Sequence, residues 1–157
     1  MNAYKITDQK VFTTKLFLEE VFDNFLVSEA CFITRFSTEI NGRTVNPEEG
    51  AEEFTDWGTI RPIAYSLIRG KVLPKSIKIV LKLNRENTLR TLEAAGFSGD
   101  KAGVSGLYIN IRYEEGTFSL VTGTSFATFT PDRSLEGSWS KFVCRFLTAS
   151  GISFEEL

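Results

Sequence analysis

Catalysis needs nucleophiles, bases or ligands at workable spacing, and this chain of 157 residues holds few of them. It contains no histidine, which removes the commonest general acid–base and metal ligand at neutral pH. Its two cysteines, Cys31 and Cys144, lie far apart without C-x-x-C spacing, in apolar contexts that disfavour the thiolate. Ser28 and Glu29 lack an imidazole to complete a nucleophile–base pair. The most polar cluster of small residues is Thr122, Gly123, Thr124 and Ser125, with Asp132 close behind. Its hydroxyls and backbone N–H groups could cradle a ligand anion. A strand that bends at Gly123 would need the same residue types, and the Gly-Lys-Ser/Thr ending of a phosphate loop is missing.

Other charged groups admit a functional and a plain interpretation. Asp132, Arg133 and Glu136 could pair an acid with an electrophile, or simply complement the positive end of a helix. Glu48, Glu49, Glu52 and Glu53 supply oxygen ligands without the D-x-[DN]-x-[DN]-G pattern of a calcium loop, so a solvated run is expected. Trp57 beside Arg61 could form an aromatic–cation platform, against the plainer role of anchoring a helix. Four cations fall on two expected helices, Lys10 and Lys15 on one, Arg85 and Arg90 on the other, interleaved with glutamates. On one surface they would form a small nucleic-acid footprint. No cofactor or metal site is expected.

Composition sets the frame for these residues. Hydrophobic residues make up 42% and charged residues 24%, as in an ordinary globular domain, and one domain over 1–157 is expected. With 14 Phe, 4 Tyr and 2 Trp against one Met, the core should be rich in rings packed on pleated strands. A net charge of −2 gives no global attraction to nucleic acid or anionic lipid. No apolar run approaches the ~18 residues of a membrane span, and the N-terminus has no signal-peptide pattern. Two separated thiols fit a reducing compartment, so a cytoplasmic location is expected.

Period and punctuation predict the elements. Tyr4 to Thr7 reads as a strand, Asp8 as an N-cap, and the following residues as a helix ending near Phe22. Residues 26–40 alternate, with Ala30, Phe32, Phe36 and Ile40 on one face, and Asn41–Gly42 reads as a hairpin turn. Thr59 should cap a helix carrying Pro62 in its first turn and a stripe of Ile60, Ile63, Ala64, Leu67 and Ile68. Residues 77–83 alternate, Asn84 caps a short helix, and Glu115–Gly116 joins two strands, 107–113 and 117–122. Gly123 reads as a second bend, with the sheet continuing over 126–130. A last helix should bury Leu135, Trp139, Phe142, Val143, Phe146 and Leu147, with Gly151 past its end. Five or more antiparallel strands with about four packed helices make the fold class α+β.

The order of strand, cap, helix, strand and turn occurs twice, over 3–45 and 76–130, with an acidic loop and helix inserted at 46–74. In the second half, Lys82 to Asn87 and the hairpin from Gly106 to Thr122 resemble a half-domain of the DNA sliding clamps. That resemblance implies a duplicated β-α-β-β-β unit. Over its whole length the chain is similar to a family of small bacterial proteins of unknown function. The runs that carry this are Lys78 to Leu81, Gly106 to Ile111, Val121 to Ser125, and Asp132 to Glu136 with Trp139. The expectation is a non-enzymatic binding or scaffold domain for a protein or ligand, without membrane contact and compatible with a homo-oligomer. The alternatives are a small enzyme or ligand-binding protein using Thr122–Ser125 and Asp132, and a weak nucleic-acid-associated protein using the four cations.

Overall fold

The computed structural model describes residues 2–127 and 133–157. Alternating strands form the scaffold: β1 (Ala3–Ile6), β2 (Leu26–Ile33), β3 (Ser37–Asn41), β4 (Thr55–Asp56), β5 (Ser76–Lys82), β6 (Val104–Glu114), β7 (Thr117–Phe126) and β8 (Phe154–Glu156). They join in one antiparallel sheet ordered β3-β2-β5-β6-β7-β1-β8, with β4 also paired to β2. Register places Ile79 opposite Ile111, Ile111 opposite Leu120, and Leu120 opposite Tyr4, so one face of four adjacent strands is apolar. Lys78, Arg112, Ser119 and Lys5 fall on the other face in the same register.

Four helices contribute to the core over the apolar face: α1 (Gln9–Phe17), α2 (Trp57–Ile68), α3 (Arg85–Ala94) and α4 (Ser134–Ala149). Phe12, Leu16, Phe17, Trp57, Ile60, Leu92, Trp139, Val143 and Leu147 share a single buried cluster with the sheet. Aromatic rings join its parts, as where Phe12 meets Phe118 at 4.8 Å and Phe17 meets Trp57 at 5.8 Å. The structure is α+β, with four α-helices and an eight-stranded antiparallel sheet among the described residues.

Local capping signals find their expected places. The Asp8 carboxylate accepts from Val11 N at 3.1 Å, and the Asn84 side chain from Asn87 N at 2.8 Å. Glu115 and Gly116 take φ of 51° and 80°, and Gly151 takes 76° after α4. Trp57 is fully buried and donates from Nε1 to the Leu16 carbonyl at 2.8 Å. It anchors α2, while Arg61 is held by the Asp23 carboxylate at 2.8 and 3.0 Å, so the aromatic–cation platform does not form.

Other expectations are corrected. The segment 26–40 is two strands, which turn at Thr34–Phe36, and Phe36 is exposed at the tip. Asn41 belongs to β3, and Gly42 continues the ladder by donating to Ser28 O at 3.1 Å. Glycine is needed there for space: a Cβ would lie 1.7 Å from the Val27 carbonyl oxygen. Helix α1 ends at Phe17. Asp56, not Thr59, caps α2, by accepting from Thr59 N at 3.0 Å, and Pro62 consequently lies in the second turn. Of the expected α2 stripe, Ile60 and Ala64 are buried and Leu67 and Ile68 pack partly buried against the core, but Ile63 is exposed. Strand β7 runs through Gly123 in regular register opposite Tyr108, so no bend occurs there, and the irregularity lies between Val104 and Gly106.

The two halves share the order strand, helix, strand, strand, and their hairpins β2–β3 and β6–β7 correspond. Their pairing otherwise differs. β5 pairs with β6, whereas β1 has β7 on one edge and β8 on the other. The end of the second expected repeat, 128–130, lies outside the described residues.

Candidate functional site

Helix α4 carries more apolar surface than the core takes. Leu135, Trp139, Val143 and Leu147 recur at i, i+4 and are buried, but Phe142 and Phe146 lie one row over and are only half-buried, contrary to the sequence expectation. A similar offset row exists on α3. Thr88 and Leu92 face the core, leaving Asn87, Arg90, Thr91, Ala94 and Ala95 beside them. The two offset rows bound a trough of about 500 Å³, within the ~300–1,000 Å³ range of small-ligand sites.

Its floor is apolar and well fixed. Phe25 and Leu83 lie there, each 5% exposed. Phe146 packs edge-on against Phe25 and Phe22, both at 5.4 Å, and Phe142 stacks on Trp139 at 5.3 Å. The rings are therefore held before anything binds. The rim is cationic, with Arg90 on α3 and Lys141 and Arg145 on α4, and no Asp or Glu lines the cavity. Arg90 shares its charge with Glu86 at 2.7 Å. Lys141 and Arg145 have no ion-pair partner among the described residues. They stand one turn apart at i, i+4, about 6 Å along the helix axis. Asn24, Asn87 and Ser138 add amide and hydroxyl groups, while the Thr91 hydroxyl already donates to the Asn87 carbonyl at 2.8 Å.

Two other large concavities balance their own charge. One, of about 590 Å³, sets Lys82, Arg85 and Lys101 against Glu52 and Glu53, with Glu52 accepting from Arg85 N at 3.0 Å. The other, of about 610 Å³, sets Arg43 and Lys78 against Glu29 and Glu39, with Lys78 3.1 Å from Glu29. Only the α3–α4 trough among these three is lined by one sign of charge.

The polar cluster expected from sequence is differently placed. Thr122, Gly123 and Thr124 line a cavity of only about 80 Å³ with Glu136 and Trp139, well below the ~300–1,000 Å³ of small-ligand sites. Thr122 is buried, and its hydroxyl meets Ser140 Oγ at 2.9 Å and accepts from Asn2 N at 3.1 Å. Ser125 pairs with Gly106 in the ladder, and Asp132 lies outside the described residues. Of the four cations, Arg90 enters the trough, Arg85 enters the neighbouring concavity, and Lys15 is tied to Glu19 at 3.3 Å. Lys10 is exposed on α1 and lines none of these cavities. Of the trough residues on α4, Lys141 and Arg145 carry no motif in the sequence, and Phe142 and Phe146 read there as core. Their signal was an α4 stripe too wide for one core face, edged by cations at i, i+4.

Two burial effects sit elsewhere. Burial raises the Tyr4 phenol above its ordinary value, assisted by a hydrogen bond with Cys144. Burial also raises Tyr108, with the negative charge of Glu53 adding to it. Neither residue lines the trough.

No curated protein and no solved structure matches the chain. A family model matches residues 15–155, a span that includes every residue lining the trough. The chain thus belongs to DUF5721, a family of unknown function.

Proposed function

We propose that this chain is a cytoplasmic, non-enzymatic binding domain whose ligand site is the trough between α3 and α4. The observation that carries the proposal is the combination of a fixed aromatic floor with a rim of one charge sign, on which Lys141 and Arg145 have no ion-pair partner among the described residues. Such a surface favours an anionic partner with an apolar body: the apolar part displaces water from the floor while the charges meet the rim. The lining has no carboxylate, thiol or phenol to act as a base, which supports binding over catalysis. The free thiols of Cys31 and Cys144 support a reducing compartment. No helix among the described residues is long and apolar enough to cross a membrane.

The test is an amide chemical-shift titration with anilinonaphthalene sulfonate, a flat aromatic anion. Shifts concentrated at Ala94, Ala95, Phe142 and Phe146 are expected. Shifts centred on Thr122 to Ser125, or none, would defeat the proposal.

A further inference from the structure

We infer that the trough receives an acidic amphipathic helix from a partner protein. This rests on the trough being the binding site and adds the identity of its occupant. Length is the first argument. The lining runs from Asn87 to Ala95 on α3 and from Ser138 to Phe146 on α4, about 12 Å along each helix. That is roughly two helical turns, the reach of anchors at i, i+4 and i+7 on an inserted helix.

Cross-section is the second. Phe25 and Leu83 are buried at the bottom, Phe142 and Phe146 are half-buried above them, and Asn24, Arg90, Ala94, Lys141 and Arg145 are exposed at the top. A small molecule on this floor would stay open to solvent along the trough, whereas small-molecule sites bury about 70–90% of their ligand. A helix seats only its apolar stripe and leaves its back in water.

Charge is the third. Arg90 stands on one helix, with Lys141 and Arg145 on the other. A helix lying between them would present carboxylates on both flanks of its apolar stripe. The two unpaired cations, one turn apart, match carboxylates at i, i+4 on that helix. Nucleic acid fits less well, because the floor rings are packed against each other and the cations of α1 lie outside the trough.

Fluorescence anisotropy with the full chain tests this. The probes are labelled synthetic peptides of about 15 residues, near the length at which isolated helices become stable. Each carries Leu, Ile or Phe at i, i+4 and i+7 with Glu on both flanks, beside a scrambled version of the same composition. The patterned peptides should bind more tightly than the scrambled ones, and added salt should weaken binding. The double variant Lys141→Glu/Arg145→Glu should weaken it by about tenfold or more, as for charges facing a complementary partner. Ala94→Glu, a second exposed position on a helix, should weaken it independently. Unchanged melting temperatures will show that both variants are folded. Equal affinity for scrambled peptides, unchanged affinity in both variants, or no binding by any patterned peptide overturns the inference. If anilinonaphthalene sulfonate still occupies the trough in that event, the binding site stands and only the helical occupant falls. If neither probe binds there, both fall.

Discussion

Thr122 fastens three parts of the chain with one hydroxyl. It sits on β7, shares a hydrogen bond with Ser140 on α4, and accepts from the backbone of Asn2 ahead of β1. Thr122→Val keeps the shape and removes the oxygen, leaving the buried Ser140 hydroxyl short of a partner. Urea melts should show a loss of about 1–3 kcal/mol, the usual cost of an unsatisfied buried polar group. A loss below a few tenths would show that the clip is replaceable. Tyr4, also against α4, gives a pH signature. Its phenol titrates above the ordinary 10.0 in the folded chain, and so does Tyr108. As pH passes 10 the unfolded chain releases these protons first, so the stabilisation, complete below that pH, is lost as pH rises through the raised folded values. Tyr4→Phe should therefore lose stability less steeply above pH 10 than the parent, as read by denaturant midpoints across that range. Parallel slopes would refute the assignment.

Elements differ in how far their residues announced them. Asp8, Asn84, Glu115–Gly116 and Gly151 act within a turn of their own position, and all four were legible, because a cap or a positive φ is a local requirement. Asn41–Gly42 carries the same local signature but is overruled, because the approach of Val27 fixes that segment and residues 34–36 provide the turn. Gly42→Ala should cost at least about 3 kcal/mol, since the clash is with backbone that cannot rotate away. Gly137, open to solvent in α4, offers the opposite case. Gly137→Ala should stabilise by about 0.5–1 kcal/mol through helix propensity alone. Thermal melts of the pair check both signs. The trough was illegible for a related reason. Phe142 and Phe146 look like core in any helical projection, and only the placement of α3 beside α4 leaves them half-covered.

For the whole molecule, sequence reached the class and stopped before the topology. Alternation at 77–83 and 107–122 required a sheet with one apolar face. Nothing local required β5 to pair with β2, or β1 with β7, because those choices are made between segments far apart in the chain. The absence of histidine carries through to a global expectation. Among the described residues, no three Cys, Asp or Glu side chains gather where they could hold a metal ion. Treatment with EDTA should leave the melting temperature unchanged, and a drop of several degrees would reveal a structural ion.

The seat of β1 between β7 and β8 also has a temporal consequence. Ala3 must meet Val121, and Tyr4 must meet Glu156, so β1 has no partner in the sheet until the chain through Val121 has been made. At roughly 5–20 residues per second, that delay is on the order of ten seconds. Throughout it, Tyr4 and Ile6, among the most buried side chains of the finished protein, travel in water. Until then these two side chains are open to chaperones and proteases, and the sheet can close around β1 only after β7 has been made.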